Sequence, residues 1–378
     1  MSEYIGYNSI ENLERILKLE SFRNIFLITG RKSFENTKIK ELIYKSLKGV
    51  EFFRFNDFTP NPKIEDIEKG LGLFQSGNYE VIIAVGGGSV IDIGKCISIF
   101  STNKGTPESL VLKKNPIKKK GIPLIRIPTT SGSGSEATHF AVVYINKNKY
   151  SLAEPNFMQP EYVIVDPQFT YDLPKYITAY SGMDAFTQAI ESFWNINSTL
   201  ESKNYSKKAI KLVMENLLDA VVDPDKKSRL NMTIAANYAG KAINITKTTA
   251  CHAISYPITS YFNVPHGHAV ALTLPSMIVY NSNVNEGDVL DSRGVKFVKE
   301  TMKELISILG TSNASKAKEV VSQLMKNIDL ETKLGALGIK TKEDIDVIIK
   351  NGFNPERVKN NPRKLNEYQL RIILEEIR

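Results

Sequence analysis

Cysteine is scarce in this chain: Cys96 and Cys251 are the only two among its 378 residues. Each stands among apolar or small residues, which excludes a disulfide framework and favours a reducing environment. Long apolar runs are absent as well, because no stretch of about 18 apolar residues offers a membrane span. The first residues lack the basic-then-apolar order of a signal peptide. We therefore expect a soluble, cytoplasmic protein that has no membrane partner.

Aromatic residues are missing from the most basic stretch, residues 113–120. The net charge of +8 could favour binding to nucleic acid, to an anionic membrane or to anionic small molecules. A protein that binds single strands interleaves aromatic side chains with its basic ones. We interpret this stretch as a solvated loop and expect no nucleic-acid partner.

The pattern of apolar residues changes along the chain and predicts two domains. The first half alternates apolar, strand-like segments with helix-like ones, which favours a parallel sheet covered by helices. From about residue 178 onward the apolar spacing is helical and no strand-like segment follows. We predict an α/β dinucleotide-binding domain over residues 1–177 and an all-helical metal- and substrate-binding domain over residues 178–378. The strand-like segments are 24–30, 51–55, 81–85, 124–128 and 162–167, and the first helix-like ones are 35–48 and 63–76.

A glycine-rich turn follows the apolar segment 81–85 and opens a helix. Gly86, Gly87 and Gly88 let the backbone approach a ligand and adopt positive φ angles, and Ser89 can cap the helix. Backbone N–H groups at a helix start favour an anion, and in an α/β fold a pyrophosphate is the natural occupant. The turn is neither the GxGxxG motif nor a P-loop. A tight turn without a ligand is the alternative.

A second polar loop, residues 128–136, also follows a strand-like segment. Its hydroxyl groups include those of Thr129, Thr130 and Ser133. Small hydroxyls and glycines at the carboxyl end of a strand suit a second contact with phosphate or ribose. An ordinary connecting loop is an equal alternative.

Histidine is rare, and three of the four histidines lie close together in the sequence. One carboxylate, one amide oxygen and two imidazoles could enclose a divalent ion and leave a position open for substrate. Asp184 and Gln188 are four residues apart on a predicted helix, so their side chains share a face. A capping aspartate, a solvated glutamine and core histidines are the alternatives. The histidines are His139, His252, His266 and His268.

Together these motifs resemble the iron-containing (group III) alcohol dehydrogenase family over the full chain. The resemblance implies a Rossmann-like sheet domain followed by a helical metal-binding domain, a plan shared with dehydroquinate synthase, with the active site in the cleft between them. It further implies a divalent Fe²⁺ or Zn²⁺ ion, NADH or NADPH, and a homodimer. The matching stretches are residues 60–62, 86–92, 128–136, 166–167, 182–185 and 265–269.

The same resemblance assigns residues to the site. Asp184, His252 and His266 match metal ligands, whereas Gln188 stands where the family has a histidine. Tyr256 stands where many members have a histidine that relays a proton. The cofactor-binding positions implied are Asn56, Gly86, Gly87, Gly88, Ser89, Asp92, Thr129, Thr130, Ser133 and Phe169.

A narrower resemblance concerns the substrate. Residues 184–195 and 247–257 are similar to the phosphonoacetaldehyde reductases, a subgroup that carries both the glutamine and the tyrosine. A phosphonate needs fixed cations and hydroxyl donors. Solvated lysines, and an internal salt bridge for Arg126, are the alternatives. The candidates are Arg126, His139, Lys149, Lys247 and Thr248, with Thr249 beside them.

These residues lead to a hypothesis of function. We expect reduction of a small aldehyde by a nicotinamide cofactor, with a metal ion that polarises the carbonyl and Tyr256 or solvent as the proton source. Asn56 stands where many NAD-specific relatives have an aspartate, which favours NADPH. The alternatives are another aldehyde, such as sulfoacetaldehyde or a neutral alkanal, a synthase-type lyase, and a metal-free relative that only binds.

Overall fold

The computed structural model describes residues 2–35, 38–146, 148–353 and 355–378. The chain divides into two compact units, Met1–Asp172 and Leu173–Arg378. The domain boundary that the sequence places after residue 177 falls inside a helix of the second unit, Lys175–Trp194.

The first unit is built on a six-stranded sheet in which all neighbouring strands are parallel. The strand order is β1-β8-β5-β4-β2-β3. β4 and β5 are buried along their whole length, as expected for strands covered on both faces. The predicted parallel α/β fold is confirmed. The strands are β1 Ser2–Ile5, β2 Asn24–Thr29, β3 Glu51–Phe55, β4 Val81–Gly86, β5 Leu124–Pro128, β6 Phe140–Ile145, β7 Asn148–Ala153 and β8 Tyr162–Val165.

The strand β1 and the pair β6 and β7 were not predicted from the sequence, and neither were the helices Asn12–Leu19 and Pro107–Val111. β1 is short and has no buried residue, so it lacks the apolar pattern of the other strands. β6 and β7 form an antiparallel hairpin outside the main sheet. The predicted helix 35–48 includes residues 36 and 37, which lie outside the described residues. The helices of this unit are α1 Asn12–Leu19, α2 Lys38–Ser46, α3 Ile64–Gln75, α4 Gly88–Phe100 and α5 Pro107–Val111.

The second unit is helical, and its described residues contain no β-strand. None of the described helices is long and apolar enough to cross a bilayer. The helices are α6 Lys175–Trp194, α7 Leu200–Val222, α8 Lys226–Thr246, α9 Ala250–Phe262, α10 His266–Ser282, α11 Gly294–Ile308, α12 Ala314–Asn327, α13 Lys342–Gly352, α14 Pro355–Val358 and α15 Glu367–Glu376.

Helix α6 lies at the centre of the second unit and packs against α7, α8 and α10. Its residues 181–194 are all buried, so the helix has no solvent-exposed face over that length. Asp184, Gln188 and Glu191 are nevertheless among them. Buried polar groups cost free energy unless they find partners. These three side chains therefore mark a candidate functional site within the core of the second unit.

Candidate active site

Three side chains from three helices of the second unit converge. Asp184 lies on α6, His252 on α9, and His266 is the first residue of α10. One ligand atom of each lies within 4.8 Å of those of the other two. The two imidazole rings have centroids 5.5 Å apart, and His252 Nε2 is 3.4 Å from Asp184 Oδ1. This spacing leaves room for one cation between the three groups.

A glycine brings the start of α10 against α6. A Cβ atom on Gly267 would lie 2.0 Å from the carbonyl oxygen of Tyr180 and 3.1 Å from the Cβ of Asp184. No side chain fits there, so only glycine permits this approach. Pro265 precedes the helix, and His266 is thereby held beside Asp184.

Gln188 lies one turn after Asp184 on α6 and is buried. Its Oε1 atom has no hydrogen-bond partner, whereas Asp184 Oδ1 makes a long contact of 3.4 Å with His252 Nε2. A buried oxygen atom without a donor is costly, and a cation beside Asp184 would satisfy Gln188 Oε1. A carboxylate, two imidazoles and an amide oxygen suit Zn²⁺ or Fe²⁺. The residues present therefore fit the metal ion that the sequence predicts.

Sequence reasoning missed Glu191, a fully buried carboxylate that contacts His252. His252 Nδ1 donates to Glu191 Oε2. Burial lowers the pKa of His252, but the charge of Glu191 and the hydrogen bonds to Glu191 and Asp184 raise it to about 9. Burial raises the pKa of Glu191, but His252 and Thr249 lower it more, so the net shift is downward. The available signal was its spacing, seven residues after Asp184 on the same helix face.

The electrostatics of Asp184 also favour an ionised ligand. Burial raises the pKa of this carboxyl group. The hydrogen bond from His252 and the charges of His266 and His252 lower the pKa by more than burial raises it, so the pKa lies below its ordinary value. Without a metal ion, a proton on His252 is held between two carboxylates. A divalent ion would displace that proton on binding.

Tyr256 lies one turn after His252 on α9 and is partly buried. Its ring centroid is 6.3 Å from that of His266. The structure thus places a phenol beside the cluster, where the sequence predicts a proton donor. His268, the last of the four histidines, does not belong to this cluster. Its Nε2 donates to the carbonyl oxygen of Glu331 at 2.7 Å.

The predicted substrate contacts are divided between the two units. Lys247 ends α8 with φ of 64° and its carbonyl oxygen accepts from Asn195 Nδ2 at 3.2 Å. Thr248, which follows it, is buried and leads into α9. His139 and Lys149 belong to the first unit.

Arg126 differs from both sequence interpretations. It lies on β5 and is buried. Its two terminal nitrogens donate to the backbone carbonyls of Glu136, Thr138 and Met158 at 3.3, 2.7 and 2.8 Å. Because backbone oxygens accept from both nitrogens, this guanidinium holds backbone segments of the first unit together.

The glycine turn lies at the carboxyl end of β4, and α4 begins at Gly88. A Cβ atom on Gly88 would lie 2.7 Å from Ser133 Oγ, and one on Gly87 would lie 3.4 Å from Thr130 Oγ1. The second polar loop therefore packs directly against the turn, and Thr129 N–H donates to the carbonyl oxygen of Gly86. The N–H groups of Val90 and Ile91 donate to the carbonyl oxygen of Gly87, and the N–H groups of Gly88 and Ser89, which precede them, are the ones placed to bind an anion.

Two details of this turn correct the sequence prediction. Gly86, Gly87 and Gly88 do not adopt positive φ, so glycine is needed here for close approach alone. Ser89 lies inside the first turn of α4 and does not cap it; its hydroxyl accepts from the N–H of Asn61 at 3.2 Å.

Asp92, a predicted cofactor contact, accepts hydrogen bonds from within the first unit. Its Oδ1 accepts from Ser135 Oγ at 2.5 Å and from Lys95 Nζ at 3.3 Å, and its Oδ2 accepts from Val142 N–H at 2.9 Å. Burial lowers the pKa of Lys95 to about 8, although the charge of Asp92 opposes the shift. This buried pair ties α4 to the second polar loop and to the hairpin, which fixes the two loops relative to each other.

The remaining predicted cofactor contacts have different surroundings. Phe169 is only 2% exposed and belongs to the hydrophobic core on one face of the sheet, so its ring is not available for stacking on a ligand. Asn56 follows β3 and is partly buried. The adjacent Asp57 forms ion pairs with Lys69 and Arg31.

A parallel sheet with a glycine turn at its carboxyl edge and a helical unit with a buried cation site define a metal-dependent dehydrogenase. The family described as iron-containing alcohol dehydrogenase matches residues 2–167, and its C-terminal part matches residues 178–377. The chain belongs to the iron-containing alcohol dehydrogenase family. It is therefore an oxidoreductase that acts on alcohols and aldehydes.

Individual relatives extend this similarity. A phosphonoacetaldehyde reductase of Streptomyces viridochromogenes is 32% identical over 79% of this chain and 76% of that protein. A 1,3-propanediol dehydrogenase of Klebsiella pneumoniae is 29% identical over 98% of this chain and 95% of its own length. A crystal structure of sulfoacetaldehyde reductase from Bifidobacterium kashiwanohense, in complex with NAD⁺, has a TM-score of 0.88 at 26% identity and covers 100% of this chain and 97% of that one.

Proposed function

We propose that this protein reduces phosphonoacetaldehyde to 2-hydroxyethylphosphonate with NADPH. A divalent ion, Fe²⁺ or Zn²⁺, is held by Asp184, His252 and His266, with the amide oxygen of Gln188 as a fourth, weaker ligand. The observation that carries the proposal is the convergence of three ligand atoms within 4.8 Å, one of them on the same face of α6 as the buried Gln188 Oε1, which has no hydrogen-bond donor. Family membership favours a dehydrogenase over a synthase-type lyase.

The residues of this chain divide the work of the reaction. When bound, the ion polarises the aldehyde oxygen and the reduced nicotinamide supplies a hydride. The turn at Gly87 and Gly88, with Thr130 and Ser133, binds the pyrophosphate through backbone N–H and hydroxyl donors. Tyr256, beside His266, holds the proton that the product oxygen receives.

An anionic aldehyde is supported by the segment that leads into α9. Lys247 and Thr248 lie immediately before this helix, which carries both His252 and Tyr256. A lysine ammonium and a threonine hydroxyl suit a phosphonate or a sulfonate group. Sulfoacetaldehyde is the second candidate, because a sulfoacetaldehyde reductase shares the whole fold.

The preference for NADPH rests on the residues that follow β2, the strand beside β4 and its glycine turn. In dinucleotide-binding sheets a carboxylate at a strand end binds the ribose 2′-hydroxyl, whereas an arginine accommodates a 2′-phosphate. β2 is the neighbour of β4, and Gly30 and Arg31 follow it. The position of Asn56, after the edge strand β3, is one strand farther away. Arg31 and Lys69 both pair with Asp57, so two cations and one carboxylate lie together here.

The proposal is tested by following the oxidation of NADPH and of NADH with phosphonoacetaldehyde, sulfoacetaldehyde and acetaldehyde, in zinc- or iron-loaded enzyme. We expect phosphonoacetaldehyde with NADPH to give the highest kcat/KM. Lys247→Met should lower kcat/KM for the anionic aldehydes by roughly tenfold or more and leave acetaldehyde nearly unchanged. Equal rates for charged and neutral aldehydes would remove the anionic substrate from the proposal.

We further propose a cytoplasmic homodimer, for which light scattering should give twice the mass of one chain.

A further inference from the structure

Glu191 is buried completely and nevertheless has a full set of hydrogen-bond donors. Its Oε1 accepts from Thr249 Oγ1 at 2.8 Å, from Cys251 N–H at 2.7 Å and from His252 N–H at 3.3 Å. Its Oε2 accepts from His252 Nδ1. A buried carboxylate is tolerated only with such partners. All of these donors come from the start of α9.

The same carboxylate therefore fixes both the helix and the ring. Thr249 is the N-cap residue of α9, yet its side chain caps nothing within its own helix. Its hydroxyl donates to Glu191 and accepts from Trp194 Nε1 at 3.0 Å. Backbone N–H groups in the first turn of α9 are thus satisfied by a side chain from α6, in place of a local cap.

The contact also decides which nitrogen of His252 carries the hydrogen. An ionised carboxylate can only accept, so Nδ1 must be the donor. The lone pair of the neutral ring then resides on Nε2, which faces Asp184 Oδ1 at 3.4 Å. A cation between Nε2 and Oδ1 needs this tautomer, and the other tautomer would block it.

We propose that Glu191 is a positioning residue that sets the tautomer and ring orientation of His252, and thereby controls the metal affinity of the site. The inference rests on the metal centre of the proposed function. It makes α6 the source of one ligand, one amide and one orienting carboxylate, at Asp184, Gln188 and Glu191. Groups that orient a metal-binding imidazole change metal affinity by about 10–100-fold when they are removed.

The test is a zinc titration against a competing chelator with the full-length protein. In Glu191→Gln the amide nitrogen would donate to Nδ1 and move the ring hydrogen to Nε2. We expect zinc affinity to fall about 10–100-fold. The Tm of the metal-free protein should fall as well, because the charge of Glu191 that stabilises protonated His252 is lost, although the amide oxygen still accepts from Thr249 and Cys251. Zinc affinity equal to that of the wild type would overturn the inference.

Thr249→Val is the matched control. It removes one donor to Glu191 and the partner of Trp194, but leaves the contact with His252 intact. We expect a lower Tm with zinc affinity within about threefold of the wild type, since the orienting bond remains. A fall as large as that of Glu191→Gln would show that loosening the start of α9 alone accounts for the effect, against our inference.

A measurement on the zinc-loaded wild type does not depend on any variant folding. With only four histidines in the chain, ¹⁵N-labelled imidazoles can be assigned individually by NMR. We expect His252 to carry its hydrogen on Nδ1 and to bind zinc through Nε2; a hydrogen on Nε2 would overturn the inference. If the wild type binds neither zinc nor ferrous ion, the proposed function itself falls, and the two failures are distinguishable.

Discussion

Gln188 is the member of the candidate metal centre that carries neither a charge nor an imidazole. Its buried Oε1 lacks a donor, so the amide is placed as a neutral ligand would be. An amide oxygen is a weaker ligand for zinc or iron than an imidazole. The site should therefore bind its ion less tightly than one with three histidines.

We expect Gln188→His to raise zinc affinity by about an order of magnitude or more, because an imidazole replaces a neutral oxygen ligand. Gln188→Leu, which keeps the approximate shape without the oxygen, should bind zinc more weakly than the wild type. Chelator competition measures both. If neither variant changes the affinity, Gln188 does not contact the ion.

At the level of helices, the approach of α10 to α6 is what assembles the site. We expect Gly267→Ala to lower the free energy of unfolding by about 1–3 kcal/mol, since its Cβ would lie 2.0 Å from the Tyr180 carbonyl oxygen and α10 must shift. Zinc affinity should fall with it, because His266 moves away from Asp184. Denaturant unfolding and zinc titration measure the two effects.

Gly72→Ala is the matched comparison, because Gly72 lies within α3 and a Cβ atom there meets nothing within 4 Å. It should stabilise the protein by about 0.5–1 kcal/mol through helix propensity and leave zinc affinity unchanged. Unaltered zinc binding in Gly267→Ala would mean that the packing of α10 does not place His266.

The sequence predicted the elements whose pattern is local. β2, β4 and β5 are nearly continuous apolar runs, and the long helices of the second unit have clear helical spacing. β1 was missed because none of its four residues is buried, and its position is set by pairing with β8. Such pairing depends on tertiary structure that no local pattern reports.

The same limit applies to the site. The pattern of Asp184, His252 and His266 was visible in the sequence, but the contact between Glu191 and His252 joins residues 61 positions apart. Asp92 and Phe169 looked like cofactor contacts, and tertiary packing instead gives Asp92 internal donors and Phe169 a place in the core. The sequence therefore indicated which residues were candidates for the site, but it did not predict which side chains contact them in the folded protein.

For the molecule as a whole, the two candidate sites are built from different units of the chain. The glycine turn lies entirely within Met1–Asp172, and the three metal ligands lie entirely within Leu173–Arg378. Substitutions in groups that share no partners have nearly additive effects. Binding of the dinucleotide and binding of the metal ion should therefore be separable by mutation.

We expect Gly88→Ala to weaken NADPH binding by roughly tenfold, since its Cβ would crowd Ser133 at the anion cradle, and to leave zinc affinity unchanged. His252→Ala should abolish tight zinc binding and leave NADPH binding within about threefold. Fluorescence titration measures the NADPH affinity of each variant, and chelator competition measures its zinc affinity. Loss of both functions in either variant would contradict the separation.

Helix α6 has a wider consequence, because it is buried along residues 181–194. Asp184 and Gln188, the candidate ligands on this helix, belong to a buried segment against which α7, α8 and α10 pack. Chemistry and folding thus impose demands on one segment, which leaves it little freedom to vary. New substrate preferences would then have to arise at side chains outside this segment, such as that of Lys247, which is only partly buried.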